Sequence, residues 1–140
     1  MKTDLKNSVM SVNQVILELM VHNVDETIDF YQNALDFELE ACEKDGDDRT
    51  YWAKMSYNGF MISFKEAERL KDEVVFMRDV SVGSSTALCI QLGEDESLES
   101  YYQELETKFR LLDHPHLTPC GATQFSMRDN NGYVLTFEKF

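Results

Sequence analysis

Residues 25–35 (DETIDFYQNAL) recur as residues 95–105 (DESLESYYQEL), and residues 58–64 (NGFMISF) recur as residues 131–137 (NGYVLTF). The two matches stand in the same order at offsets of 70 and 73 residues. A unit of that length is too long for a solenoid repeat, so the chain reads as a duplicated half-domain. Whatever one half folds into, the other must fold into as well.

Each half gives the same coarse reading. In the first, VNQVILELMV (12–21) has the β-branched and aliphatic content of a strand. Asn23 suits a helix N-cap, with Glu26 three residues on as in a capping box, and Ile28, Tyr31 and Leu35 follow at helical spacing. DFELEACEK (36–44) alternates as a half-buried strand, and Asp45 to Asp48 with Gly46 mark a turn. TYWAKMSY (50–57) and FMISF (60–64) flank Asn58-Gly59, the dipeptide that favours a type I′ hairpin. The second half predicts a strand over 85–92 and a helix capped by Asp95 with Leu98, Tyr101 or Tyr102, Leu105 and Phe109 on its buried stripe. A strand is expected to begin at FRLLD (109–113), and a hairpin to run through GATQFSMRD, Asn131-Gly132 and YVLTFEKF. Residues 65–84 connect the halves through a short helix (KEAERLKDE) and a loop (SVGSS), and residues 1–11 read as a loose tail.

Composition narrows the function classes. With 26 acids against 13 bases the net charge is −13, which excludes the basic face that nucleic acid or an anionic membrane requires and permits a cationic small molecule. The same charge serves solubility. Hydrophobic residues make up 43%, enough for a core without disulfides. Cys42, Cys89 and Cys120 form no C-x-x-C pair and read as free thiols in a reducing, cytoplasmic setting. The N-terminus carries no apolar leader core, and no apolar run reaches the ~20 residues of a membrane helix.

Two local patterns carry a resemblance. V-x-N-x-x-x-T-x-x-F-Y spans 21–31, and Gly121 to Asp129 runs into Asn130-Asn131-Gly132. Together with the duplication, they resemble the vicinal oxygen chelate superfamily, which holds glyoxalase I, extradiol dioxygenases and the bleomycin and fosfomycin resistance proteins. Asn130 stands where that family usually has Pro. The resemblance covers residues 14 to 140 and implies an α+β fold: two βαβββ modules (12–64 and 85–140, linker 65–84) forming a curled mixed β-sheet around a cavity, helices on the outside. It also implies pairing into a homodimer.

The family's metal positions, on the first and last strands of each module, fall on Ile16, Ser63, Ala87 and Thr136. Ile and Ala cannot coordinate, and neutral hydroxyls are poor ligands for divalent metals. A slip of two residues on the first strand keeps the same face and brings Gln14 or Glu18 into range. No metal and no cofactor are therefore expected. His114, His116 and Cys120 lie in a Pro-flanked stretch read as a surface loop, and His22 in a helix-entry loop.

Glu18 interrupts an apolar strand and shares parity with Ile16. A carboxylate there can bind a cation or serve as a base; the alternative is a group reaching solvent or paired with Arg or Lys. The expected ligand-facing residues are Ile16, Glu18, Trp52, Met61, Ser63, Ala87, Cys89, Gln91 and Thr136, with Tyr51 beside Trp52. Val15, Leu17, Leu19 and Val21 are expected under the helices. Cys89 has no basic neighbour in sequence and reads as an inert thiol. The leading function is metal-independent binding of a small cationic or aromatic compound, as in the bleomycin-resistance branch. The alternatives are a lyase, isomerase or dioxygenase using an atypical metal set or Glu18 as acid/base, and a dimeric interaction module without a ligand.

Overall fold

The computed structural model describes residues 11–140, so the expected tail lies, apart from Ser11, outside the described residues. The first module runs β1 (Leu17–Val21), α1 (Val24–Leu35), β2 (Glu38–Lys44), β3 (Thr50–Tyr57) and β4 (Phe60–Glu66). α2 (Ala67–Glu73) and a 3-10 turn (Val75–Met77) follow in the connection. The second module runs β5 (Ala87–Gln91), α3 (Leu98–Glu106), β6 (His116–Leu117), β7 (Thr123–Arg128) and β8 (Val134–Lys139). The strands form two open four-stranded sheets with orders β1-β4-β3-β2 and β5-β8-β7-β6. The repeat in the sequence is thus a repeat in topology. In both sheets the first strand lies parallel to the last and the other pairs are antiparallel, because a helix must carry the chain across before a parallel partner can pair. The expected α+β class with two βαβββ modules is borne out. No helix among the described residues is long and apolar enough to cross a membrane.

Asn23 caps α1 as expected: its Oδ1 accepts the Glu26 N–H at 2.9 Å. The α1 stripe buries Val24, Thr27, Ile28, Tyr31, Ala34 and Leu35. Asn58 (φ 48°) and Gly59 (φ 86°) are both left-handed, as a type I′ turn demands.

Four expectations are corrected. The cap of α3 is Ser97, whose Oγ accepts the Ser100 N–H at 3.2 Å, while Asp95 belongs to the turn before it. β1 starts at Leu17 instead of residue 12. Its partner β4 begins at Phe60, a position in register with Val15, so residues N-terminal to Val15 have no strand to pair with; Val15 itself, expected under the helices, is 84% exposed. β2 is exposed along its whole length, because it is an edge strand whose alternation is broken by irregularities at Leu39/Ala41 and Glu43/Lys44. The strand expected at 109–113 is reduced to one bridge, Leu111 to Met127. Beyond it Asp113 Oδ1 takes the Ser126 N–H at 2.7 Å in place of a backbone carbonyl, and the sixth strand forms at His116–Leu117.

One hydrophobic core runs through both modules, with Tyr31 and Phe64 from the first and Phe125 and Phe137 from the second. The two segments that carry the family resemblance meet there. Tyr31 OH donates to Asp129 Oδ2 at 2.6 Å, and Asp129 Oδ1 accepts the N–H groups of Asn131 (2.8 Å) and Tyr133 (2.9 Å). Asn131 Nδ2 donates to Thr27 Oγ1 at 3.0 Å, and its Oδ1 accepts the His22 N–H at 3.0 Å. Tyr133 OH donates to Met20 O at 2.7 Å. These bonds tie the end of β1 and the start of α1 to the last hairpin of the other module.

Candidate functional site

Leu19, Val21, Ile62, Phe64, Ala53 and Met55 point into the core, so strand alternation sends Glu18, Met61, Ser63, Trp52 and Lys54 to the opposite, open face of the first sheet. The parallel β1–β4 register sets Glu18 directly beside Ser63, and the β3–β4 hairpin sets Lys54 on the other side of Ser63. Ser63 Oγ donates to Glu18 Oε1 at 3.1 Å. Ser63 is buried and Glu18 is exposed. Among the described residues no Lys or Arg lies within ion-pair distance of Glu18. Trp52 and Met61 are half-buried on the same face, in register with Lys65 and Ser56. α2 packs against β1 and β4 at the far end of this face, where Met20 and Leu70 are buried outside the main core and Lys65 pairs with Glu73. Tyr51 falls at the β2–β3 irregularity next to Trp52; its OH donates to Glu43 Oε2 at 2.5 Å, and Arg69 stacks over its ring at 3.8 Å.

The second sheet repeats the arrangement. Leu88 and Ile90 pack toward the core, leaving Ala87, Cys89 and Gln91 exposed on the open face. Cys89 stands beside Thr136, and Thr136 beside Ser126, with the two hydroxyl oxygens 2.9 Å apart. Gln91 Nε2 donates to Glu138 Oε2 at 2.7 Å, and Glu138 also lies by the Cys89 thiol. Partial burial and that carboxylate hold the Cys89 pKa above its ordinary value, which keeps the thiol protonated and unreactive at neutral pH. Gln91 and Glu138 border a cleft of about 290 Å³ with Leu92, Glu94, Lys139 and Phe140.

The sheets therefore group the nine expected residues in two sets: Glu18, Met61, Ser63 and Trp52 on one open face, with Ile16 just ahead of β1 and 38% exposed, and Ala87, Cys89, Gln91 and Thr136 on the other. The register places Glu18 and Cys89 opposite the last-strand positions Ser63 and Thr136, two residues beyond Ile16 and Ala87. Lys54 and Glu138 were missed. Both were within reach of the pattern: the Asn58-Gly59 turn pairs Tyr57 with Phe60 and so Lys54 with Ser63, and Glu138 shares parity with Thr136.

The donor chemistry does not fit a divalent metal. Ser63 spends its hydroxyl on Glu18, the Thr136 hydroxyl is shared with Ser126, and Ala87 has no donor. No group of three or more His, Cys, Asp or Glu among the described residues could hold an ion.

The family model for the glyoxalase/bleomycin resistance protein/dioxygenase superfamily matches residues 11–137. Among solved structures, an integron cassette protein from the mobile metagenome of V. Cholerae is 20% identical over 94% of this chain and 98% of its own, with a TM-score of 0.65. A glyoxalase/bleomycin resistance protein/dioxygenase from Nocardioides is 14% identical over 99% and 91%, with a TM-score of 0.73. Lactoylglutathione lyase from Agrobacterium tumefaciens is 12% identical over 93% and 95%, with a TM-score of 0.69. At these identities the likeness is one of fold. No curated protein matches the sequence.

Proposed function

This chain belongs to the glyoxalase/bleomycin resistance protein/dioxygenase superfamily, and within it we propose that the protein binds a small cationic or aromatic compound on the open sheet faces without a metal. The observation that carries the reading is Glu18: an exposed carboxylate with no ion-pair partner among the described residues, oriented by the buried Ser63 hydroxyl on the sheet face that also carries the half-buried Trp52 and Met61. An anion on a face that also carries aromatic and thioether surface suits a ligand with a positive charge on a planar body. Lys54, on the far side of Ser63, directs the ligand's cation toward the Glu18 end of the row. The second sheet supplies a like surface through Gln91, Glu138 and Thr136. The reading includes a cytoplasmic protein with three free thiols, and a homodimer.

A thermal-shift screen of cationic and aromatic compounds tests this. A ligand present at 100 times its dissociation constant adds about 2.7 kcal/mol of stability, and Glu18→Gln is expected to weaken a cationic hit roughly tenfold or more. Hits whose affinity Glu18→Gln leaves unchanged would remove Glu18 from the site, and a screen without cationic or aromatic hits would overturn the reading.

A further inference from the structure

A second cleft, of about 530 Å³, opens where the two modules meet and is lined by Phe30, Phe109, Arg110, Leu112, Arg128, Asp129 and Asn130. Its volume falls in the range of small-molecule pockets, roughly 300–1,000 Å³. Phe30 from α1 and Phe109 from the segment after α3 form its aromatic wall, their ring centroids 5.1 Å apart and tilted by 56°. Two of the 13 basic residues of a chain of net charge −13 converge here. Among the described residues, neither Arg110 nor Arg128 has a carboxylate within ion-pair distance. Asp129, the acid in the lining, is turned inward: Oδ2 accepts from Tyr31 OH and Oδ1 from two backbone N–H groups. It offers little to a ligand's cation, and its charge is already answered by three donors.

We propose that this cleft is a binding site for a small aromatic carboxylate, whose ring packs on Phe30 and Phe109 and whose anion is taken by Arg110 and Arg128. Guanidinium groups match a carboxylate in a planar, two-donor geometry, and a flat aromatic body fills an aromatic wall at low conformational cost. The ligand is opposite in charge to the one favoured by Glu18. The site stands whether or not the sheet faces bind anything. Arg110 is its cleaner handle, because Arg128 Nη1 also donates to Gly132 O at 2.8 Å and so supports the turn.

The probe is 1-naphthoate, titrated into the full chain with backbone amide shifts followed by NMR, against 1-naphthylmethylamine as the cationic control. The expected result is that naphthoate moves the amides of Phe30, of Phe109 to Leu112 and of Arg128 to Asn130. Arg110→Gln weakens that binding roughly tenfold or more, and Glu18→Gln leaves it unchanged. Equal binding to wild type and Arg110→Gln overturns the proposal. So does an amine that occupies the cleft as tightly as the acid, or naphthoate shifts confined to β1 and β4. If sedimentation shows that Arg110→Gln alters self-association while naphthoate leaves the cleft untouched, a second copy of the chain occupies it and the proposal falls.

Discussion

Gly83 sits in the connection between the modules with φ +83°, and a Cβ built there would lie 2.2 Å from the backbone oxygen of Asn131. Two constraints act on one residue: a left-handed backbone that side chains disfavour, and a backbone approach that leaves no room for a methyl group. Gly83→Ala is expected to lower the unfolding free energy by more than about 2 kcal/mol, read as a reduced urea midpoint. A loss under about 0.5 kcal/mol, the level of an ordinary surface change, would show that the connection yields freely. The sequence marks Gly83 only as part of an SVGSS loop, because a contact with a distant turn leaves no local signature. Asn58-Gly59 is the opposite case: its constraint is entirely local, and the dipeptide states it. Glu18 lies between the two. Its parity was legible from the strand, but its bond to Ser63 depended on the β1–β4 register, which no local pattern fixes.

The junction between α1 and the last hairpin is the element on which both modules depend. Tyr31 and Asp129 are buried at its centre. Burial holds the Asp129 carboxyl above its ordinary 3.8, although the Tyr31 hydroxyl and the neighbouring N–H groups pull it down in part. Burial, then the Asp129 charge, drives the Tyr31 hydroxyl well above its ordinary range, so it stays a donor. The sign follows from the raised acid. Between 3.8 and the higher folded value the native state holds more proton than the unfolded chain, so the Asp129 contribution is fully present below 3.8 and is lost as pH rises through the folded value. Asp129→Asn should remove that dependence, so the stability difference between wild type and variant should shift in favour of wild type as pH falls across the window. A difference flat with pH would contradict the assignment. At pH 7 Tyr31→Phe should cost about 1.5–3 kcal/mol, the range for a hydrogen bond to a charged group, measured by urea unfolding. A cost near zero would show that the bond does not hold the modules together.

Elements with both a propensity signal and a partner in register were legible from sequence: α1, β3, β4, β7 and β8. The corrected features have two causes. β1, β2 and β6 are set by where a neighbour ends or bulges, and the α3 cap by competition between Asp95 and Ser97 for the same turn. A helix cap is a local choice, but here two acceptors were offered, and it is Ser97, with an extended backbone (φ −99°), that takes the role.

At the scale of the whole molecule, duplication fixes the architecture and leaves the chemistry open. Two equivalent modules build two equivalent open faces, one with Glu18 beside Ser63 and one with Cys89 beside Thr136. Of the four positions that the family resemblance assigns to metal ligands, Ile16 and Ala87 carry no donor and Ser63 and Thr136 are hydroxyls already engaged with neighbours, while Glu18 and Cys89 stand two residues beyond the first pair. The acidic surplus of the chain, −13, favours cations near either face, while the junction cleft gathers two arginines out of that background. Fold and family could be read from the repeat and two short motifs. The division of the surface into a carboxylate-bearing face and an arginine-bearing cleft could not, because it arises from how the modules dock.

Binding without a metal is tested by elemental analysis of the purified protein before and after chelation, with the melting temperature followed in parallel. Far less than one equivalent of Mn, Fe, Co, Ni or Zn per chain is expected, with a melting temperature that chelation leaves within about 1 °C. Close to one equivalent per chain, with a melting temperature lowered by several degrees on chelation, would contradict it and make metal-dependent chemistry the leading reading.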